Sequence, residues 1–315
     1  MNENANDDAQ IRYRVRHLTE YRYSNNVAVC QNQVRMQPVT GGNVTCERTD
    51  LSIAPEPTSR DEHIDYFGNR VITFSIEAIH KSLTVDVESI VAVSAQMTTE
   101  TQPSPEWETL LATSPDDLRR PMIDEHRFGS PRITPSEPFA KYAVGSFTPR
   151  RNIIDAALDL TRRINADFKY DTTATTVATT TKEAFTLRAG VCQDFAHVEI
   201  ACLRAMGLAA RYVSGYLRTL PPPGKERLIG ADESHAWVEV YAGETIGWLG
   251  LDPTNACLVG TDHIPVCIGR DYDDVSPMRG VVLGGGTNTL KVSVDVEPIE
   301  PRERTSQASG SNGAG

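Results

Sequence analysis

The spacing of apolar residues switches twice along this chain, and the order of those switches restricts the fold more than any single motif. From Ile11 to about Ala95 they fall on every second residue. Ile11, Tyr13 and Val15 alternate with Arg12, Arg14 and Arg16; Ile72, Phe74 and Ile76 with Thr73 and Ser75; Leu83, Val85 and Val87 with Thr84 and Asp86. A period of two means half-buried strands, and Gly68-Asn69 supplies a turn between two of them. From Asn152 the interval becomes three and four, with Ile154, Leu158, Thr161, Ile164 and Phe168 on one helical stripe. Gly190 to Met206 repeats it through Phe195, Val198, Cys202, Ala205 and Met206. Beyond Gly207 the period returns to two in Arg211–Leu217, His235–Tyr241, Gly247–Asp252 and Leu290–Val296. Strands, then helices, then strands predict an α+β protein: an N-terminal antiparallel β-sandwich-like domain followed by a helix packed on an antiparallel sheet.

The expected boundaries follow composition. Residues 1–10 and 301–315 are polar tails, 11–100 the β-rich domain, 101–150 a proline-rich connector and 151–300 the core. The connector is too long for a plain loop, so a short helix is expected near Pro115–Met122. Thr180 and Glu183 fit a capping box opening a helix that ends at Gly190, and Gly207 is the stop signal for the helix after Cys192. The Arg12, Arg14 and Arg16 row reads as a solvated outer face, with an acidic partner as the alternative.

Charge narrows the partners. A net charge of −11 repels phosphate backbones and anionic lipid, so neither nucleic acid nor a membrane surface is expected. There is no run of about 18 apolar residues and no secretory pattern, so a cytoplasmic location is expected. The six cysteines show no CxxC pair, which argues against a disulfide scaffold and a structural zinc.

Cys192 follows Gly190-Val191 and opens a helical pattern. At a helix N-terminus, unpaired N–H groups and the dipole favour thiolate. If Val240 pairs with Gly247 across a six-residue turn, His235 falls opposite Asp252 and shares its face. Opposed Cβ atoms lie about 4.5 to 5.5 Å apart, which suits a carboxylate–imidazole hydrogen bond, whereas a slip of one residue would separate them. Asp252 would then orient His235, His235 would take the Cys192 proton, and an N–H at the helix start would receive an oxyanion. His197 lies five residues after Cys192, on another helix face, and is the poorer partner. The Cys, His and Asp spacing matches no usual zinc pattern, so no metal or cofactor is expected.

GVCQDFAH (Gly190–His197), ARYVSGYL (Ala210–Leu217), HAWVEVY (His235–Tyr241) and GWLGLDPTN (Gly247–Asn255) together resemble the bacterial transglutaminase-like superfamily. The first hundred residues, with Asp65–Asn69, resemble that group's N-terminal region, and His263–Val281 resembles the segment after its core. The resemblance spans about residues 11 to 297. It implies a papain-like core, with Cys192 as nucleophile, His235 as general base and acid, and Asp252 as orienter.

Other residues carry two readings each. Gln193 belongs to the helix motif and is a substrate or oxyanion contact, while Asp194 beside it complements the dipole. Trp237 and Trp248 either wall the substrate channel or fill the core. Asn255 stands in for Asp252 if the register differs. Arg270 to Asp274 either touch substrate or form a salt-bridged loop. The expected function is thiol-dependent hydrolysis of peptide or isopeptide bonds in a peptide or protein substrate, through an acyl-thioester. Transfer to an amine and a non-catalytic binding module are the alternatives. The Pro-rich stretch Arg218–Ser234 is expected to act as a lid over His235.

Overall fold

The structure, a computed structural model, describes residues 10–94, 100–112, 120–219 and 233–299. Both expected tails, residues 115–119 of the expected connector helix and residues 220–232 of the expected lid lie outside the described residues, apart from Gln10. In chain order the strands and helices are β1 (Ile11–Val34), β2 (Val44–Ala54), β3 (Ser59–Ile64), β4 (Arg70–Ile76), β5 (His80–Val93), α1 (Arg120–Asp124), α2 (Glu137–Ala143), α3 (Ile153–Asp167), β6 (Lys169–Tyr170), α4 (Thr181–Leu187), β7 (Ala189–Gly190) and α5 (Cys192–Ala205). They continue as β8 (Ala210–Leu217), β9 (Glu233–Tyr241), β10 (Trp248–Asp252), β11 (Cys257–Leu258), β12 (His263–Gly269), α6 (Tyr272–Val275), β13 (Met278–Gly284) and β14 (Asn288–Ile299). No helix among the described residues is long and apolar enough to cross a membrane.

Strand β1 runs for 24 residues, well past the usual strand length, and its pairing shifts between Arg22 and Val27. Its first half lies between β5 and β14, and its second half between β4 and β13. The halves fold over one another. Tyr23, Val27, Cys30, Phe74, Leu83 and Val85 meet in one buried cluster between them, giving a sandwich-like unit whose two layers share a strand. Arg12, Arg14 and Arg16 point away from it and pair with Glu47, Glu88, Glu297 and Asp86. These are solvated ion pairs, worth at most about 1 kcal/mol each.

Residues 278–299 pair with the N-terminal sheet and not with the core sheet. Strands β13 and β14 lie on β1, with Thr19 level with Val292 and Tyr21 with Leu290. Sequence order gave no sign of this, because a strand's partner depends on where the chain returns.

The core is a five-stranded antiparallel sheet in the order β11-β10-β9-β8-β12, with α5 packed against β8 and β9. Asn152 caps α3 by accepting from Asp155 N–H, and the expected stripe Ile154, Leu158, Thr161, Ile164 and Phe168 is buried. Phe139, Ala143 and Phe147 join the same cluster, so the end of the connector is part of the core. The Thr180–Glu183 capping box forms, but its helix stops at Leu187 rather than at Gly190. Arg188 turns left-handed there with φ 54°, and its guanidinium lies over the rings of Tyr142, Phe168 and Phe185. Ala189 and Gly190 then pair with β6.

Candidate active site

Helix α5 begins at Cys192, with Val191 in extended conformation before it. The N–H groups of Cys192 and Gln193 have, by position, no carbonyl within the helix to bond. The Asp194 carboxylate reaches back to Val191 N–H at 2.9 Å and accepts from Thr175 Oγ1 at 2.6 Å, holding the first turn. Gly190 makes room for it, since a Cβ there would meet Asp194 Oδ2 at 2.4 Å. Asp194 therefore secures the helix start beyond complementing its dipole.

His235 lies on β9 and Asp252 ends β10, but not in the expected register. Val240 pairs with Leu249, not with Gly247, so His235 and Asp252 are diagonal neighbours. Gly243 and Gly247 both have positive φ, at 92° and 74°, and belong to the turn, which moves the ladder by two residues. An even shift preserves the face, so the two side chains still meet. His235 Nε2 donates to Asp252 Oδ2 at 2.8 Å.

Asp252 has more partners than the sequence suggested. Its Oδ2 also accepts from Asn255 Nδ2 at 2.7 Å and from His263 Nε2 at 3.0 Å, while Oδ1 accepts from Thr254 and Asn255 N–H. Asn255 thus supports Asp252 and does not replace it. His263 is the residue sequence reading missed. Its Nδ1 accepts from Gly260 N–H at 3.2 Å, which leaves the proton on Nε2, facing the carboxylate. It starts β12, two strands from β9, and only the sheet order could have revealed it.

The intervening strand opens the space. Gly215 on β8 sits beside His235, and a Cβ there would lie 2.4 Å from the Trp237 ring. Trp237 is buried across this gap and meets His263 edge-on at 5.3 Å between centroids. It shores up the histidines from below and does not wall the channel. Trp248 is elsewhere: it packs on Tyr241 and under Arg211, at the far end of β10.

Burial pulls the His235 proton affinity down, but hydrogen bonds to Asp252 and Cys192 and the charge of both outweigh it, leaving the pKa raised to about 10. Burial alone would raise the Asp252 pKa; its imidazole and amide donors hold it well below the usual carboxylate range. The pair is therefore charged at neutral pH. With Nε2 engaged by Asp252, Nδ1 is the ring nitrogen left for Cys192.

Cys192, Gln193 and His235 line one cavity of about 390 Å³. Its other walls come from Ser214 and Tyr212 of β8, Tyr272, and residues of β1 and β14. His197 stays out of it: fully buried, it accepts from Tyr272 N–H, and burial together with Arg132 and Arg204 lowers its pKa to about 3. Arg270 pairs with Asp274, and Arg132 with Asp273, so this stretch is a salt-bridged loop from which Tyr272 reaches the cavity. His235, Asp252 and His263 bring three potential metal-ligand atoms within 4.8 Å of one another. The Gly260 N–H bond to His263 Nδ1 puts that ring's hydrogen on Nε2, directed at the Asp252 oxygen, which favours a proton-sharing arrangement.

Residues 13–92 match the bacterial transglutaminase-like N-terminal region, and residues 140–253 match the transglutaminase-like superfamily. Uncharacterized protein Rv2569c of Mycobacterium tuberculosis is 42% identical over 295 residues, covering 92% of this chain and 93% of that protein. A protein-glutamine gamma-glutamyltransferase of Pseudomonas aeruginosa is 42% identical over 71 residues, 22% of this chain and 10% of that protein. Among solved structures, a "Putative Cysteine Protease" from Cytophaga hutchinsonii superposes with a TM-score of 0.73 at 20% identity, covering 93% of this chain and 92% of that one.

Proposed function

Because the chain belongs to the transglutaminase-like superfamily, we propose that it is a thiol enzyme that opens amide bonds, with Cys192 as nucleophile, His235 as proton carrier and Asp252 as orienter. The Cys192 thiolate attacks the amide carbonyl carbon, and the developing oxyanion is received by first-turn N–H groups of α5. When the tetrahedral species collapses, the C–N bond breaks and the His235 imidazolium gives its proton to the departing amine. A thioester on Cys192 remains. Water then gives a proton to His235, attacks the thioester carbon and releases a carboxylic acid and the thiol.

The observation that supports this reading most is the 2.8 Å hydrogen bond from His235 to the fully buried Asp252, beside the cavity that holds Cys192. The same steps pass the acyl group to an amine if one replaces water. The stretch shared with the Pseudomonas aeruginosa protein-glutamine gamma-glutamyltransferase favours that second reading. Incubating cell extract with the wild type and with Cys192→Ala, then comparing peptides by mass spectrometry, separates them. New termini made only by the wild type mean hydrolysis, and new cross-links mean transfer. Neither product, together with uniformly slow iodoacetamide labelling of all six cysteines, would leave a binding module.

A further inference from the structure

On β14 the side chains of Leu290, Val292, Val294 and Val296 share one face, since they alternate along a single strand. Their burial is not uniform. Val296 and Val294 are 0% and 2% exposed beneath the core, whereas Val292 and Leu290 are 46% and 53% exposed. The cover ends where the Cys192 cavity begins, and both open residues line that cavity. Their β1 partners Thr19 and Tyr21 line it too, at the same level of the ladder. A scattered exposed leucine or valine needs no explanation, but an apolar row that continues a buried interface and surfaces at a nucleophile does.

The cavity's chemistry is consistent with this. No aspartate, glutamate, lysine or arginine is among its described lining residues. His17 at its base spends both ring nitrogens on Tyr216 Oη and Thr19 Oγ1, so it offers no free donor or acceptor. Away from His235, a charged side chain meeting this floor would lose water and find no charged partner among the described lining residues.

We propose that the β1–β14 face at the cavity is the floor on which the acyl-donor substrate lies, and that it takes an extended peptide with an uncharged, apolar side chain beside the reactive amide. The strand spacing of the floor suits an extended segment, whose alternate side chains meet Leu290 and Val292. This inference rests on Cys192 being the nucleophile, and it gives the N-terminal sheet a part in substrate selection.

The probes are benzyloxycarbonyl-Ala-X fluoromethyl ketones with X as Leu, Lys or Glu, in which the Cys192 thiolate displaces fluoride to form a thioether. Labelling of the full chain is followed by intact-protein mass spectrometry, and each rate is divided by the iodoacetamide rate of the same protein. The wild type is expected to prefer Leu over Lys and Glu by about tenfold or more. Val292→Asp and Leu290→Asp, at open positions that need no repacking, are expected to cut the Leu rate about tenfold and raise the Lys rate. Unchanged preference in both variants, with Cys192 still selectively alkylated, overturns the floor and leaves the nucleophile standing. Loss of self-association in either variant, without a change in preference, assigns the patch to a second copy of the chain and also overturns it. Wild-type Cys192 reacting no faster than the other thiols removes the nucleophile and the floor together.

Discussion

Asp252 is the residue on which the site's charge depends. Both oxygens are saturated by donors: two imidazoles and an amide on one, two backbone N–H groups on the other. A buried carboxylate with that many donors stays ionised, and its charge keeps His235 protonated against burial. Asp252→Asn removes the charge and lets burial dominate, so the imidazolium loses its proton at lower pH and no longer stands as a positive charge beside Cys192. The rate of Cys192 alkylation by iodoacetamide, followed from pH 5 to pH 9, is then expected to fall about tenfold at pH 6. An unmoved profile between pH 5 and 9 would disconnect Asp252 from the thiol. Cys192, His235 and Asp252 were legible because their motifs carry the reactive groups. His263 was not, because its only link to them is spatial.

At the scale of elements, α5 both presents the thiol and buries an acid. Glu199 is fully buried on its inner side, facing Thr161 of α3 at 2.6 Å. Thr161 Oγ1 also donates to Ala157 carbonyl at 2.9 Å, and a hydroxyl has one hydrogen to give. The geometry is satisfied if Glu199 is protonated and donates to Thr161. Burial, the largest cause, raises its pKa to about 8, and the Asp252 charge assists. Between the ordinary glutamate range and about pH 8, the unfolded chain has released a proton that the native state still holds, so rising pH costs stability throughout that window. Glu199→Gln carries no such proton. Its unfolding free energy relative to wild type, read from urea denaturation at each pH, is expected to rise from pH 5 to pH 8.5 by at most about 1.4 kcal/mol per pH unit. A pH-independent difference would mean Glu199 is ionised in the native state. The β9–β10 hairpin belongs to this scale too. Its face was readable from the sequence, while its register depended on which glycines the turn consumed.

Across the whole molecule, one hydrophobic cluster joins the two layers: Tyr13, Val15, Val91, Val93, Val294 and Val296 pack with Phe195, Tyr216 and Ala236. Unfolding should therefore be a single event. Val296→Ala removes two fully buried carbons' worth of contact and is expected to cost about 2 kcal/mol, with near-UV and far-UV circular dichroism melting together. Separate transitions by the two signals would show that the layers fold independently. The sequence alone determined the α+β class, the placement of the thiol at a helix start, and the shared face of His235 and Asp252. All three follow from local periodicity and from the chemistry of single residues. Only the tertiary structure decided that β13 and β14 return to β1, that His263 reaches Asp252, and that an apolar strand face opens beside Cys192. These depend on contacts between residues far apart in the chain, which local spacing does not encode.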